Sequence, residues 1–366
     1  MLRRQTLWIA ATLVVIGFAI SACGDTGHGT KRVPAPAGNV RSFAMGFSSL
    51  PSELTNDSYA EAFERSASAG EVILIRRAPP WEELLTSDAF PSDKTSATVV
   101  REKQLAEDHD LDLFFAIDAT SVSPETGQLA GLPADFPAAG YDNEDVRKAL
   151  ASYVQYVMVN YQPKYLALGL DVNQFWLRDP AGFQQYVTLY NEIYADIKGS
   201  SPETLVFPTF QLEDMNGLLP LDTPHPTQWA LLDQFAGAFD LLAVSTYPGV
   251  VFSTAAQIPP DYYTSLRERA NVPIAISETG YASTPGATGN ASGAEAEQSA
   301  FLRRVLRDAD SIGMALVVWF AGQDPTFTGQ LPTDLVRNSG LVRQDGTRKP
   351  AWRVWSETAA RPLSSG

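Results

Sequence analysis

From Arg41 onward, short apolar runs alternate with longer amphipathic stretches. The runs occupy 42–47, 71–75, 111–117, 164–170, 204–210, 240–245, 272–277 and 314–320. They are dense in Val, Ile, Leu and Phe and lack strict apolar–polar alternation. A strand covered on one face alternates, whereas a parallel strand buried on both faces does not. The pattern therefore predicts eight parallel strands.

Helical periodicity fills the intervals. It predicts helices over 57–69, 95–109, 143–161, 180–198, 227–238, 261–270, 294–312 and 350–358. Pro180 suits the first turn of its helix, and Gly199 suits a C-terminal cap. Strand–helix alternation repeated eight times predicts an α/β fold of the (β/α)₈ TIM-barrel type, as a single domain over 41–360. A doubly wound open sheet is the alternative architecture. No glycine-rich phosphate loop follows the first strand, which argues against its nucleotide-binding version.

Composition narrows the class. The 366 residues are 45% hydrophobic with a formal net charge of -15, so the chain can fill a large core but repels phosphate backbones. Nucleic acid is not an expected partner.

The N-terminus carries a separate signal. Arg3 and Arg4 precede an apolar stretch over 7–20, too short to span a bilayer and typical of a signal peptide. It closes on Ile20-Ser21-Ala22-Cys23-Gly24, which resembles a bacterial lipobox with Cys23 lipidated. Residues 1–22 are then a signal peptide and 23–40 a Gly-, Thr- and Pro-rich tether. The expected location is the cell envelope, with the outer membrane favoured if the organism has one. Cys23 is the sole cysteine, so no intramolecular disulfide can form.

In a barrel of this kind the chemistry sits at the C-terminal strand ends. Asp171 ends the fourth run and Glu278 the seventh. Two carboxylates facing each other about 5–5.5 Å apart are what a retaining glycosidase needs, one as nucleophile and one as acid/base.

Here the sequence resembles the superfamily of retaining glycoside hydrolases with the acid/base after strand four and the nucleophile after strand seven. Pro273–Tyr281 is similar to its nucleophile motif, which implies that role for Glu278. Ser245-Thr246-Tyr247-Pro248 resembles its aromatic segment, implying that Tyr247 hydrogen-bonds the nucleophile. Trp319, at the end of the eighth run, matches the tryptophan over which a sugar ring stacks. The segments 339–346 and 349–352 are like the closing segment of these enzymes. The resemblance spans about 41–355, and the arabinogalactan endo-β-1,4-galactanases look nearest. It implies a carbohydrate substrate, no cofactor and a monomer. Leu170-Asp171 departs from the pattern, which has Asn-Glu. The lost Asn removes a contact to the sugar 2-hydroxyl, and Asp is shorter than Glu by one methylene.

Other strand-end residues have open roles. Asp118 can bind a sugar hydroxyl or serve its own turn. One of Arg76 and Arg77 is expected to enter the mouth, the other to face solvent. Glu213 reads as a subsite residue, a surrogate acid or a surface carboxylate. Asn173 can replace the missing amide or form a turn. Trp81, Tyr141, Phe175 and Trp176 can stack on sugar rings or pack the loops. His28, His109 and His225 lack metal-ligand spacing, so no metal is expected. No Gly-x-Ser-x-Gly elbow occurs, which argues against an α/β-hydrolase. Two non-catalytic readings remain: a degenerate barrel that binds glycans, and a structural lipoprotein with an unused mouth.

Overall fold

The computed structural model describes residues 39–86, 91–123, 128–133, 136, 140–219, 225–284, 294–327 and 338–364. The signal segment 1–22, Cys23 and the tether up to residue 38 lie outside the described residues. Among the described residues, no helix is long and apolar enough to cross a membrane.

Nine short parallel strands form one sheet: β1 Ala44–Ser48, β2 Val72–Arg77, β3 Asp112–Ile117, β4 Tyr165–Leu168, β5 Leu205–Phe207, β6 Thr209–Gln211, β7 Leu242–Thr246, β8 Ile274–Thr279 and β9 Leu316–Trp319. The order β5-β4-β3-β2-β1-β9-β8-β7-β6 is that of a barrel whose fifth position is split in two. The split falls at Pro208, which has no N–H to give the ladder. Before it, β5 pairs with β4; after it, β6 pairs with β7. The Thr209 amide donates to the Gly169 carbonyl at 3.2 Å, bridging the gap above β4. The eight expected strands are all present. Their residues are buried on both faces, which explains the absence of alternation.

The helices are α1 Asn56–Ser68, α2 Trp81–Thr86, α3 Asp93–Asp108, α4 Glu144–Tyr161, α5 Val172–Arg178, α6 Pro180–Ser200, α7 Leu212–Met215, α8 Glu295–Ile312 and α9 Pro350–Ala359. Their starts follow capping chemistry: Asn143 accepts from the Asp145 amide at 2.9 Å, and Asp179 accepts from Gly182 at 2.9 Å just before Pro180. Gly199 does not cap α6, which runs through it to Ser200. The helices expected over 227–238 and 261–270 are shorter 3₁₀ turns, Trp229–Phe235 and Thr264–Glu268. The first stops where Ala236 and Gly237 take positive φ.

One irregularity positions the site. The β7–β8 register pairs Val244 with Ile276 but Ser245 with Glu278, leaving Ser277 as an extra residue. Such a bulge re-aims the side chains beyond it. Here it lets Ser277 and Glu278, successive residues, line the same opening.

Candidate active site

Arg76, Asp171, Thr209, Ser245, Ser277 and Glu278 line one opening at the C-terminal end of the barrel, above Leu74, Phe114 and Ala116. A groove continues from it along Asp118, Thr120, Ser121, Gln174 and Arg178.

Glu278 is held from two sides. The Tyr247 hydroxyl donates to its Oε1 at 2.5 Å, and Arg76 Nη1 lies 3.2 Å from its Oε2. The second Arg76 amine reaches Asp118 Oδ2 at 3.2 Å. Burial works against the Arg76 charge, but the carboxylates of Glu278, Asp118 and Asp171 outweigh it and raise its pKa. The Tyr247 hydroxyl is pushed well above its ordinary range, by burial first and by Glu278 second, so it stays a donor.

Asp171 sits in a different environment. Gly169 has φ +86°, and a Cβ there would lie 2.3 Å from the Tyr186 hydroxyl oxygen, so this turn requires glycine. Asp171 itself has φ +47°, a left-handed conformation unusual for a side-chain-bearing residue. That turn brings its amide to Thr209 Oγ1 at 2.9 Å and its Oδ1 within 2.6 Å of the Ser245 hydroxyl, which donates. Burial, and then the charge of Glu278, push the Asp171 carboxyl up to about 7; the Ser245 hydrogen bond and Arg76 oppose the shift.

Several expected site residues take other places. Trp319 is fully buried, its indole N–H donates to the Ser339 carbonyl at 2.8 Å, and its ring packs on Phe301 of α8. It faces the helix layer, so it offers no sugar platform. Asn173 is fully buried, exchanging hydrogen bonds with the Gln211 backbone at 2.8 and 3.1 Å and donating to Gln228 at 2.7 Å. It stitches the β4 loop to β6 and does not replace the missing amide.

Glu213 is neither a surface carboxylate nor a surrogate acid in the mouth. It is wholly buried among Gln211, Thr246, Tyr247 and Tyr262. Arg77 points away from the mouth to the buried Glu102 and to the Tyr59 hydroxyl, not simply to solvent. Asp118 accepts from Arg76 and, at 2.6 Å, from Ser121. Trp81 and Tyr141 are buried in the core, and Phe175 is buried beneath the groove it helps to line. Trp176 is half-buried against the core.

Sequence reasoning assigned no role to Thr209, Ser245, Ser277 or Gln174. For Thr209, Ser245 and Ser277 the available signal was small polar residues at the predicted strand ends, too common to single them out; Gln174, inside α5, carried none. Among the described residues, no group of three or more His, Cys, Asp or Glu side chains is arranged to hold a metal.

No protein-family model and no curated protein matches the sequence. Solved structures match its shape. An exo-β-1,4-mannosidase from Opitutaceae bacterium strain TAV5 superposes with a TM-score of 0.66 at 15% identity, over 87% of this chain and 59% of that one. This chain thus spans under two thirds of that protein. A GH5_18 protein from Bifidobacterium longum subsp. longum, in complex with Manβ1-4GlcNAc, gives 0.65 at 17% identity over 89% and 80%. A GH53 catalytic domain from Ignisphaera aggregans gives 0.59 at 13% over 91% and 99%. The shared property is the fold. This chain is a (β/α)₈ barrel of the shape found in those glycoside hydrolases.

Proposed function

We propose that this protein is a retaining glycoside hydrolase, with Glu278 as nucleophile and Asp171 as acid/base. The observation that carries the proposal is the pair of opposed environments at one opening. Glu278 receives an Arg76 ion pair and a Tyr247 hydrogen bond, while burial and the charge of Glu278 push Asp171 up to about 7. Two carboxyls with such different partners divide naturally into nucleophile and acid.

In the first step Glu278 attacks the anomeric carbon as the glycosidic C–O bond breaks, and the Asp171 proton passes to the leaving oxygen. In the second, Asp171, now ionised, takes a proton from water, which displaces Glu278 from the sugar. The left-handed conformations of Gly169 and Asp171 set the shorter Asp carboxyl between Ser245 and Thr209.

The substrate class is a polysaccharide or oligosaccharide, and the galactanase resemblance makes β-1,4-galactan the first to test. The lipobox supports tethering of the monomeric domain to the cell envelope through a lipid on Cys23.

A second reading, a barrel that binds glycans without cleaving them, draws on two observations. Leu170 stands where the superfamily has Asn, and Trp319 is withdrawn into the helix layer. The experiment that separates the two is a reducing-sugar screen of the purified domain against a polysaccharide panel, with Glu278→Gln as control. Hydrolysis lost in the variant supports the enzyme. Glycan binding without hydrolysis in either protein supports the binder.

A further inference from the structure

We propose that Glu213 is a positioning residue: from behind the β7 end it fixes Tyr247 so that its hydroxyl stays on Glu278. This rests on the reading of Glu278 as nucleophile.

Glu213 lies on α7, directly after β6, and is fully buried. Its Oε1 accepts from Thr246 Oγ1 at 2.7 Å and from the Tyr262 hydroxyl at 2.9 Å. Its Oε2 accepts from the Tyr247 amide at 3.2 Å and from the Gln211 side-chain amide. Those four donors occupy the ordinary acceptor sites of a carboxylate. Among the described residues it forms no ion pair with Lys, Arg or His. Burial raises its pKa, and the bonds from Thr246, Tyr247 and Tyr262 oppose that rise.

A buried carboxylate without a cation is an expensive way to fill space, and well-packed apolar residues usually do as well or better. What this one adds is direction. Two of its donors are consecutive: Thr246, the last residue of β7, and Tyr247. Both also reach the end of β8. The Thr246 carbonyl accepts from Thr279 Oγ1 at 2.7 Å, and the Tyr247 hydroxyl donates to Glu278 at 2.5 Å. Glu213 therefore grips, from the far side, the two residues that grip Glu278 and its neighbour. The charged and titratable groups facing Glu278 itself are Arg76, Tyr247 and Asp171. Of these, Tyr247 is the one that Glu213 holds.

The test is a titration of the Glu278 carboxyl by carbon NMR on Glu-labelled full-length domain, in the native protein and in Glu213→Ala, Glu213→Asp, Glu213→Gln and Tyr247→Phe. Glu213→Asp is included so that a folded variant with a shortened arm is measured even if Glu213→Ala does not fold. Removing a donor to a carboxylate raises its titration midpoint. Glu213→Ala or Glu213→Asp should move the Glu278 midpoint upward, in the same direction as Tyr247→Phe. Combining either with Tyr247→Phe should add little, because both act through one hydroxyl. Glu213→Gln, whose carbonyl oxygen can still accept from the Tyr247 amide, should restore most of the native value.

A Glu278 midpoint unmoved in folded Glu213→Asp, or moved additively with Tyr247→Phe, overturns the proposal. The titration needs no turnover. A shifted midpoint in a protein that hydrolyses nothing would support the Glu213 assignment and count against the hydrolase reading alone.

Discussion

Ser245 donates to Asp171 at 2.6 Å while its backbone pairs in register with Glu278 on the neighbouring strand. One small residue thus touches the proposed acid and stands beside the proposed nucleophile. Its hydrogen bond opposes the rise in the Asp171 pKa.

The first expectation concerns pH and rate. Hydrolysis of a natural glycan requires protonated Asp171, so kcat/KM should fall as pH rises through about 7. In Ser245→Ala the opposing hydrogen bond is gone and the alkaline limb should move to higher pH. A pH–rate profile of both proteins checks this, and an unchanged limb counts against Asp171 as the acid.

The same group sets a stability slope. Asp171 has an ordinary value of 3.8 and a folded value of about 7. Between the two the folded state holds the extra proton. Its contribution is therefore fully present below about pH 4 and is lost as pH rises through 7. Asp171→Asn should flatten that slope and make the protein more stable than the native chain at pH 8, on the order of 1–2 kcal/mol after allowance for partial exposure. Urea unfolding at pH 5 and pH 8 reads it directly.

Leaving-group chemistry separates the roles of the two carboxyls. Asp171→Ala should cost about 10²–10⁴-fold on a natural glycan and far less on an aryl glycoside that departs without a proton. Glu278→Gln should remove activity on both substrates. Equal losses for both variants on both substrates would deny Asp171 an acid role.

Trp319→Phe tests a correction to the sequence reading. Because the ring is buried against Phe301 and its N–H pairs with Ser339, the change should lower stability by about 1–2 kcal/mol and leave KM nearly unchanged. A sugar platform would show the reverse, a higher KM with stability intact.

The barrel was legible because its strands are covered on both faces, and that leaves dense apolar runs of barrel length separated by helix periods. Glu278 and Asp171 were legible because each closes such a run. Pro208 hid the split of the fifth position, since an apolar run continues across it on either side. Trp319 was misplaced because a position at a strand end does not say which face it takes, and one residue of register reverses the answer. Glu213 was misjudged for a related reason. A carboxylate just past a strand looks like surface, and the residues that enclose it, Thr246, Tyr247 and Tyr262, lie 33 to 49 positions away.

The most direct test of the central claim is the stereochemistry of the first product, followed by proton NMR on a glycan that the domain cleaves. The two-carboxyl account predicts that the newly formed sugar appears first with the anomeric configuration of the substrate and then mutarotates. First appearance of the inverted anomer would contradict Glu278 as a nucleophile and would turn the pair into an acid and a base acting on water.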